Sequence, residues 1–251
     1  MFVPLADSNP LEHVRRPYVS YALIALNIFV FTVLQNGAFA EISEAGVVAY
    51  GAIPAVVTGH AVLPPGYERV PSLVTHVTYM FLHSGWLHLI GNMAFLWVFA
   101  DNVEDALGHI RFLLFYLLCG IAAALAHTVV EPASEVPLVG ASGAVAGVIA
   151  AYLVLHPRIR LWALVLMKVP IRVPAYWVIV SWLLLQVFEL LTDTDHATAW
   201  WAHLGGFAAG AALVAPMRRR GVALFDHDPS GVPGGAGAPE SGRKRGGVDR
   251  V

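Results

Sequence analysis

The chain has few charged residues and almost no cysteine, and each scarcity excludes a class of protein. Only 13% of its 251 residues are charged, whereas soluble domains carry about 25%, and 57% are hydrophobic. With a mean hydropathy of +0.66, this composition predicts a polytopic membrane protein. The single cysteine, Cys119, excludes an internal disulfide framework and a paired-cysteine metal or redox site.

Two catalytic signatures of membrane proteases are also missing. The chain has eleven histidines but no HExxH motif, and His83 and His88 are five residues apart, a spacing that does not share a helix face well. No cysteine or carboxylate cluster joins them, so we expect neither a metal centre nor a cofactor. No aspartate lies inside an apolar segment, which disfavours an aspartyl intramembrane protease.

Six apolar segments separated by polar connections predict an all-α bundle of six transmembrane helices. The predicted spans are residues 18–35, 77–100, 110–130, 142–155, 174–191 and 199–217. Together they form one domain over residues 18–220, preceded by an N-terminal arm at 1–17. A tail at 221–251, rich in glycine, proline and charge, is predicted to be disordered.

Lysine and arginine fall on alternate connections, which orients the predicted bundle. The arm, the connection after span four and the residues after span six carry most of the lysines and arginines, and Arg111 lies just after the connection that follows span two. The opposite connections carry glutamate and aspartate, with Arg69 as their one basic residue. The positive-inside rule therefore places both termini in the cytoplasm, and we expect an integral protein of a bacterial inner membrane.

This topology brings four separated polar residues to the outer side of the membrane at similar depth. His88 and Asn92 lie in the outer half of span two, Ser142 opens span four, and His203 lies in the first turns of span six. Because polar side chains are costly against lipid, they should face one another or a water-filled cavity. Span four is short, about 21 Å against a hydrocarbon core of roughly 30 Å, so Ser142 should lie below the outer surface.

Glycines spaced four residues apart predict close packing between spans four and six. The pairs are Gly143 with Gly147 and Gly206 with Gly210. Such pairs let two helix backbones approach closely. His203 shares a helix face with the second pair, at positions i, i+3 and i+7. The packing face of span six therefore carries His203 towards Ser142.

These residue types suit peptide hydrolysis by a serine nucleophile. The Ser142 hydroxyl needs a base, and His203 is the candidate. The Ser142 amide at a helix start, with His88 and Asn92 at i and i+4, could donate hydrogen bonds to an oxyanion. Glu189 near the end of span five remains open as a third member, and a Ser–His dyad is the simpler hypothesis. The structural alternatives are a serine that caps its own helix, an interfacial histidine and a structural His–Asn pair.

Three motifs in the chain resemble those of the rhomboid intramembrane serine proteases, over roughly residues 18–220. They are Gly140-Ala141-Ser142-Gly143 for GxSG, His88-Leu89-Ile90-Gly91-Asn92 for HxxxN, and the histidine-glycine pattern from His203 to Gly210. The resemblance implies that Ser142 is the nucleophile and His203 the base, with His88 and Asn92 at the oxyanion site. It also implies cleavage of single-span membrane proteins in or near the lipid bilayer.

Several further residues are expected to support the site rather than to react. They are His83, Glu104, Gly140, Gly143, Gly147, Gly206 and Gly210. His83 is predicted to hold the loop before span two, and Glu104 to organise the inner turn. Some bacterial members place an aromatic residue under the catalytic histidine, four positions after the serine. Ala146 occupies that position here, so the sequence leaves open what orients His203.

Two other functional classes fit six spans. A rhomboid-fold protein that has lost catalysis could bind transmembrane helices, but such a protein should lack the serine or the histidine. A small transporter should show internal repeats and ionisable residues near the middle of the membrane, and neither is evident. No nucleic-acid partner is expected, and the sequence leaves the oligomeric state, the natural substrate and its cleavage site open.

Overall fold

A computed structural model describes residues 2–36, 43–165, 168–192 and 199–225, and these residues are mostly helical. The helices are α1 (Tyr18–Phe29, continued by a π-helical segment at Val30–Gln35), α2 (Ser43–Tyr50), α3 (Pro54–Val57), α4 (Thr75–Thr78), α5 (Trp86–Leu107), α6 (His109–Val130), α7 (Ser142–Leu155), α8 (Ala175–Thr192) and α9 (Trp200–Met217). Short 3₁₀ turns at Ser72–Val74 and Tyr79–Phe81 flank α4. The predicted disorder of the tail falls almost entirely outside the described residues, from 226 onwards.

Three of the described helices are long and apolar enough to cross a membrane. They are the helix at Tyr18–Gln35, α6 and α8, and α7 is a shorter apolar helix of 14 residues. The helices α5 and α9 carry the polar residues singled out in the sequence, such as His88 and His203, which lower their hydropathy.

A small antiparallel sheet joins the N-terminal arm to the connection between α7 and α8. Its strands are β1 (Phe2–Asp7), β2 (Arg160–Val165) and β3 (Val169–Pro174), in the order β1-β2-β3. Asp7 lies opposite Leu161, and an irregularity interrupts the register between Pro4 and Ala6. The expectation of an all-α fold is corrected accordingly, because β1 finds its partner more than 150 residues along the chain, where no local pattern could reveal it.

The end of β1 connects the C-terminal ends of α5 and α7. The carboxylate of Asp7 accepts hydrogen bonds from the Tyr152 hydroxyl, 2.7 Å away, and from the Asn102 side-chain amide, 2.8 Å away. Burial raises the pKa of Asp7 above its usual value, and the hydrogen bond from Tyr152 opposes that rise. The strand therefore fixes α5 and α7 to each other at the end opposite Ser142.

Glu104 caps the N-terminus of α1. Its carboxylate is fully buried and accepts three hydrogen bonds. The donors are the backbone N–H of Val19 at 3.0 Å, the backbone N–H of Ser20 at 2.7 Å and the Ser20 hydroxyl at 2.6 Å. It also pairs with the His109 ring. A helix start leaves N–H groups unpaired, so a carboxylate there satisfies them and complements the helix dipole. Glu104 thereby positions α1 against α5.

The backbones of α7 and α9 touch at their glycines. A Cβ atom added at Gly206 would overlap the carbonyl oxygen of Gly143, and one at Gly210 would overlap that of Gly147. This contact matches the four-residue glycine spacing in the sequence. It sets the distance between the helix that begins with Ser142 and the helix that carries His203.

Candidate active site

Ser142 and His203 form a direct hydrogen bond. Ser142 is the first residue of α7, and His203 lies in the first turn of α9, 61 positions further along the chain. The distance between Ser142 Oγ and His203 Nε2 is 2.8 Å. This is the separation of a hydroxyl that donates to a neutral imidazole nitrogen, so the imidazole can accept the serine proton.

The chain that leads into Ser142 is held by backbone hydrogen bonds. Leu138 exchanges two with Ala52 in the loop after α2, at 2.8 and 3.1 Å, and the Gly140 N–H donates to the Tyr79 carbonyl at 2.9 Å. Irregular backbone is tolerated at membrane depth only where protein or water satisfies its polar groups. These bonds supply that satisfaction, and they fix the position of the α7 N-terminus.

His88 and Asn92 lie directly against the backbone that precedes Ser142. Gly140 has a φ of +114°, and a Cβ atom added there would be 2.6 Å from His88 Nε2 and 3.6 Å from Asn92 Nδ2. Only glycine adopts this conformation readily and leaves room for the imidazole. Asn92 Nδ2 is buried without a hydrogen-bond partner in the described part of the chain. A buried donor without a partner is costly, so it is available to an oxyanion.

Ser84 fixes which nitrogen of His88 can donate. The Ser84 hydroxyl lies 3.0 Å from His88 Nδ1, and the Ser84 backbone N–H points at the same nitrogen from 3.5 Å. An N–H can only donate, so His88 Nδ1 acts as the acceptor and the proton of the neutral ring lies on Nε2. That N–H is the one beside Gly140. Ser84 was not predicted to have a role, although it stands four residues before His88.

His83 supports His88 by ring packing. Its ring lies 5.2 Å from that of His88 and 6.2 Å from that of Phe31, both in edge-on contacts. The side chain of Gln35 bonds both the N–H and the carbonyl of His83, at 2.9 and 3.1 Å. The loop before α5 is therefore fixed to the end of the first helix, and His83 has the surroundings of a structural residue.

Gln186 on α8 bonds the second nitrogen of His203. The distance between Gln186 Oε1 and His203 Nδ1 is 2.6 Å, and Gln186 is buried. Glu189, which the sequence left open as a third member of the site, lines the cavity beside Ser142 and His203. The side chain that accepts the hydrogen bond from His203 is that of Gln186. Gln186 was not among the residues predicted from the sequence. A polar side chain inside an apolar span is the signal that could have identified it.

Aromatic rings and the cavity complete the surroundings of His203. The Trp200 ring lies 5.7 Å from the His203 ring in an edge-on contact, and the Trp182 ring lies 6.3 Å away. A cavity of about 710 Å³ opens beside them and is lined by Ser142 and His203. His88, Asn92 and Gln186 also line it. Among the described residues, no group of three or more His, Cys, Asp or Glu side chains could hold a metal.

Comparison with known proteins identifies the family. The Rhomboid domain family matches residues 71–220, which is more than half of the chain. Rhomboid-like protein 11, chloroplastic, of Arabidopsis thaliana is 40% identical over 84 residues, covering 34% of this chain and 30% of that protein. YdcA of Bacillus subtilis (strain 168), named as a candidate rhomboid protease, is 42% identical over 77 residues, which cover 31% of this chain and 38% of YdcA.

A longer match reaches a second plant relative. RHOMBOID-like protein 5 of Arabidopsis thaliana is 31% identical over 134 residues, covering 53% of this chain and 40% of that protein. The matched segments thus span less than half of each of these relatives. The family match, in contrast, covers Ser142, His203, His88 and Asn92 together. The chain belongs to the rhomboid family.

Proposed function

We propose that this protein is an intramembrane serine endopeptidase that hydrolyses peptide bonds in or near the transmembrane segments of single-span membrane proteins. The observation that carries the proposal is the 2.8 Å hydrogen bond between Ser142 Oγ and His203 Nε2. Donors that can stabilise an oxyanion lie beside the same serine, on the wall of the same cavity. No cofactor enters the proposed reaction.

The first half of the reaction uses the Ser142–His203 pair. Ser142 Oγ bonds to the carbonyl carbon of the substrate while His203 Nε2 takes the hydroxyl proton. The tetrahedral intermediate then collapses, the C–N bond breaks, and the imidazolium gives its proton to the departing amine. The second half repeats these roles with water as the nucleophile, which releases the carboxyl product and restores the serine.

Three donors can bind the oxyanion that forms in each half. The Ser142 amide lies at the N-terminus of α7, where the helix dipole favours negative charge. Asn92 Nδ2 is a buried donor without a partner among the described residues, and Ser84 leaves the His88 proton on Nε2. Donors held in place before the reaction need no reorganisation as the charge develops, and each is worth about 10²–10³ in rate in other proteases.

The family and the apolar helices make this an integral membrane protein, and the finer topology is part of the proposal. Six spans, both termini in the cytoplasm and a cavity open to the outer side agree with the basic residues on alternate connections. A bacterial inner membrane is the proposed location. A short α7 keeps Ser142 below the outer surface, where the cavity can admit water.

The alternative is a rhomboid-fold protein without catalysis that binds transmembrane helices. Two of the relatives carry names that describe likeness to rhomboids and no protease activity. A binding protein, however, has no use for a serine bonded to a histidine beside an unpartnered amide donor. The hydrogen bond therefore favours the protease.

Cleavage of a model single-span substrate by the purified protein tests the proposal. Wild-type protein is compared with Ser142→Ala and His203→Ala, which should each lose at least about 10³-fold in kcat, because the two residues act as one unit. Covalent labelling of Ser142 by a fluorophosphonate is measured in parallel and is independent of the substrate chosen. Ser181→Ala is the matched control, since in the described part of the chain the Ser181 hydroxyl bonds the Val178 carbonyl on its own helix, at 2.9 Å.

The outcomes separate the two functions. A protease is labelled at Ser142 and loses cleavage in both variants, while Ser181→Ala behaves as the wild type. Cleavage by Ser142→Ala at the wild-type rate would show that the serine mechanism is wrong. A folded wild-type protein that neither cleaves nor reacts with the fluorophosphonate would favour the binding alternative.

A further inference from the structure

We infer that Gln186 is the positioning residue for His203. The Ser142–His203 dyad predicted from the sequence then becomes a Ser142–His203–Gln186 triad. The inference rests on the proposed function, because it concerns the histidine that acts as base there. The hydrogen bond that Gln186 makes in the described part of the chain is to the imidazole ring. Its effect is exerted through the imidazole ring.

The geometry determines the tautomer of His203. Gln186 Oε1 lies 2.6 Å from His203 Nδ1, and a carbonyl oxygen can only accept, so the proton of the neutral ring lies on Nδ1. Nε2 then has a free lone pair that faces Ser142 Oγ at 2.8 Å. The other tautomer would place a proton on Nε2 and could not accept the serine proton. The hydrogen bond from Nδ1 to Gln186 therefore selects the form of the ring that can act as a base.

In some family members an aromatic residue lies under the catalytic histidine, but the residue at that position here cannot select the tautomer of His203. Ala146 is fully buried, and its methyl group has no ring to stack on the imidazole. Trp182 and Trp200 lie against His203 and limit its tilt, but ring contacts at 6.3 and 5.7 Å do not distinguish one nitrogen from the other. Only a hydrogen bond can do so, and Gln186 makes it from a buried position.

The placement of Gln186 on α8 is consistent with a dedicated role. Between Ala175 and Thr192 the helix is almost wholly apolar, and a buried amide in such a segment is costly unless it is hydrogen-bonded. A leucine would pack there at no such cost. Gln186 lies four residues after Trp182, so one face of α8 supplies both the ring and the amide that meet His203.

Two substitutions separate positioning from packing. Gln186→Met keeps the length of the side chain and removes the acceptor, and Gln186→Glu keeps an acceptor oxygen at the same reach. We expect Gln186→Met to lower kcat about 10- to 100-fold, less than the roughly 10⁴-fold loss when a triad aspartate becomes an asparagine, with KM changed less than about threefold. Gln186→Glu should retain most of the activity. Ser181→Ala, which removes a polar group from the same helix, should change neither kcat nor KM.

A second readout needs no activity at all. In ¹⁵N spectra of protein with labelled histidine, the His203 signals are assigned by their loss in His203→Ala. Wild type should show Nδ1 protonated and Nε2 free, and Gln186→Met should show a mixture of the two tautomers. A wild-type His203 protonated on Nε2 would overturn the inference, and so would Gln186→Met with unchanged kcat and an unchanged tautomer.

The controls keep this inference distinct from the proposed function. If wild type does not cleave and is not labelled at Ser142, the protease proposal fails, and the tautomer still decides whether Gln186 positions His203. If wild type is active and Gln186→Met equals it in both readouts, the protease proposal stands and the role of Gln186 is wrong. Equal loss in Gln186→Met and Gln186→Glu, with thermal stability unchanged, also contradicts positioning by an acceptor oxygen.

Discussion

At the scale of single residues, the site depends on donors that the protein leaves unused. Asn92 Nδ2 is buried and unpartnered in the described part of the chain, at a cost of about 1–3 kcal/mol for such a group. An oxyanion that forms beside Ser142 would satisfy it. The free energy lost in the resting protein would then be recovered in the transition state, where it accelerates the reaction.

Replacement of Asn92 by alanine should therefore act on the transition state. We expect Asn92→Ala to lower kcat about 10²-fold with little change in KM, because the donor bonds a charge that the bound substrate lacks. Steady-state kinetics with the single-span substrate measure both constants. Asn36→Ala is the control, since Asn36 is exposed at the end of the first helix and, among the described residues, bonds the nearby Phe31 carbonyl. A loss confined to KM would contradict an oxyanion role for Asn92.

Gly140 offers a second prediction at this scale. Gly140→Ala places a Cβ atom 2.6 Å from the His88 ring in a backbone conformation with φ of +114°, so both the strain and the clash act on the site. We expect a fall of at least about tenfold in kcat, together with a lower temperature of thermal unfolding. The measurement is cleavage and heat-induced unfolding in the same detergent.

The control for Gly140 separates strain from clash. Gly59 also has a positive φ, +79°, but a Cβ atom there would meet nothing within 4 Å. Gly59→Ala should therefore lose some stability through strain alone and keep its activity. Equal effects of the two substitutions on cleavage would show that the contact between Gly140 and His88 does not matter.

At the scale of elements, the contact between α7 and α9 sets the distance from Ser142 to His203. Gly210 meets the carbonyl of Gly147, two helical turns after His203 along α9. Gly210→Ala should push α9 away from α7 and destabilise the protein by about 1–3 kcal/mol, as overpacking does in other cores. Cleavage should fall as well, since His203 moves with α9. Thermal unfolding and kcat measure the two effects.

A substitution on the opposite face of α9 is the control for Gly210. Ala212 is exposed, so Ala212→Val adds more volume than Gly210→Ala without touching α7. It should leave both the unfolding temperature and kcat unchanged. If the valine variant is as unstable as Gly210→Ala, the effect belongs to α9 itself and not to its contact with α7.

At the scale of the whole molecule, the proposed orientation predicts which loops face which side. Cys119 is fully buried, so Cys119→Ser gives a background without cysteine in which single cysteines can be labelled. Exposed positions on the two sides are Glu68, after α3, and Arg158, between α7 and β2. In right-side-out bacterial membrane vesicles, an impermeant maleimide should label Glu68→Cys at once. It should label Arg158→Cys only after the vesicles are opened.

The labelling also tests the number of spans. Glu68 and Arg158 are on opposite sides only if an odd number of spans separates them, which the six-span bundle requires. Labelling of both cysteines in sealed vesicles would contradict that topology. If Arg158→Cys were labelled in sealed vesicles and Glu68→Cys only in opened ones, the number of spans would stand but the orientation would be reversed. The cavity at Ser142 would then open towards the cytoplasm.

Contacts at the C-terminal ends of α5 and α7 also bear on the candidate site at the other end of these helices. Asp7 on β1 holds Tyr152 of α7 and Asn102 of α5, while Glu104 of α5 caps α1. These contacts fix the helices at the end opposite the serine. A rigid helix carries that positioning along its length to His88 and Ser142.

The rhomboid family, the helical character and the residues of the candidate site could all be predicted from the sequence alone. The signals for these are local or periodic: apolar runs, basic connections, glycines four residues apart and the short motifs around Ser142, His88 and His203. The family match confirmed the predicted rhomboid resemblance. Because alternate spans end on the same side of a membrane, such signals sufficed to predict that Ser142 and His203 lie on the same side, at similar depth.

Only the tertiary structure decided which partners fix those residues. Gln186 reaches His203, Ser84 selects the His88 proton, and β1 pairs with β2 across more than 150 residues. Each of these contacts depends on the rotation of a helix about its axis or on a pairing between distant segments. The membrane constrains the length and depth of a span but not its rotation, so side-chain partners follow from packing and not from the pattern of the sequence.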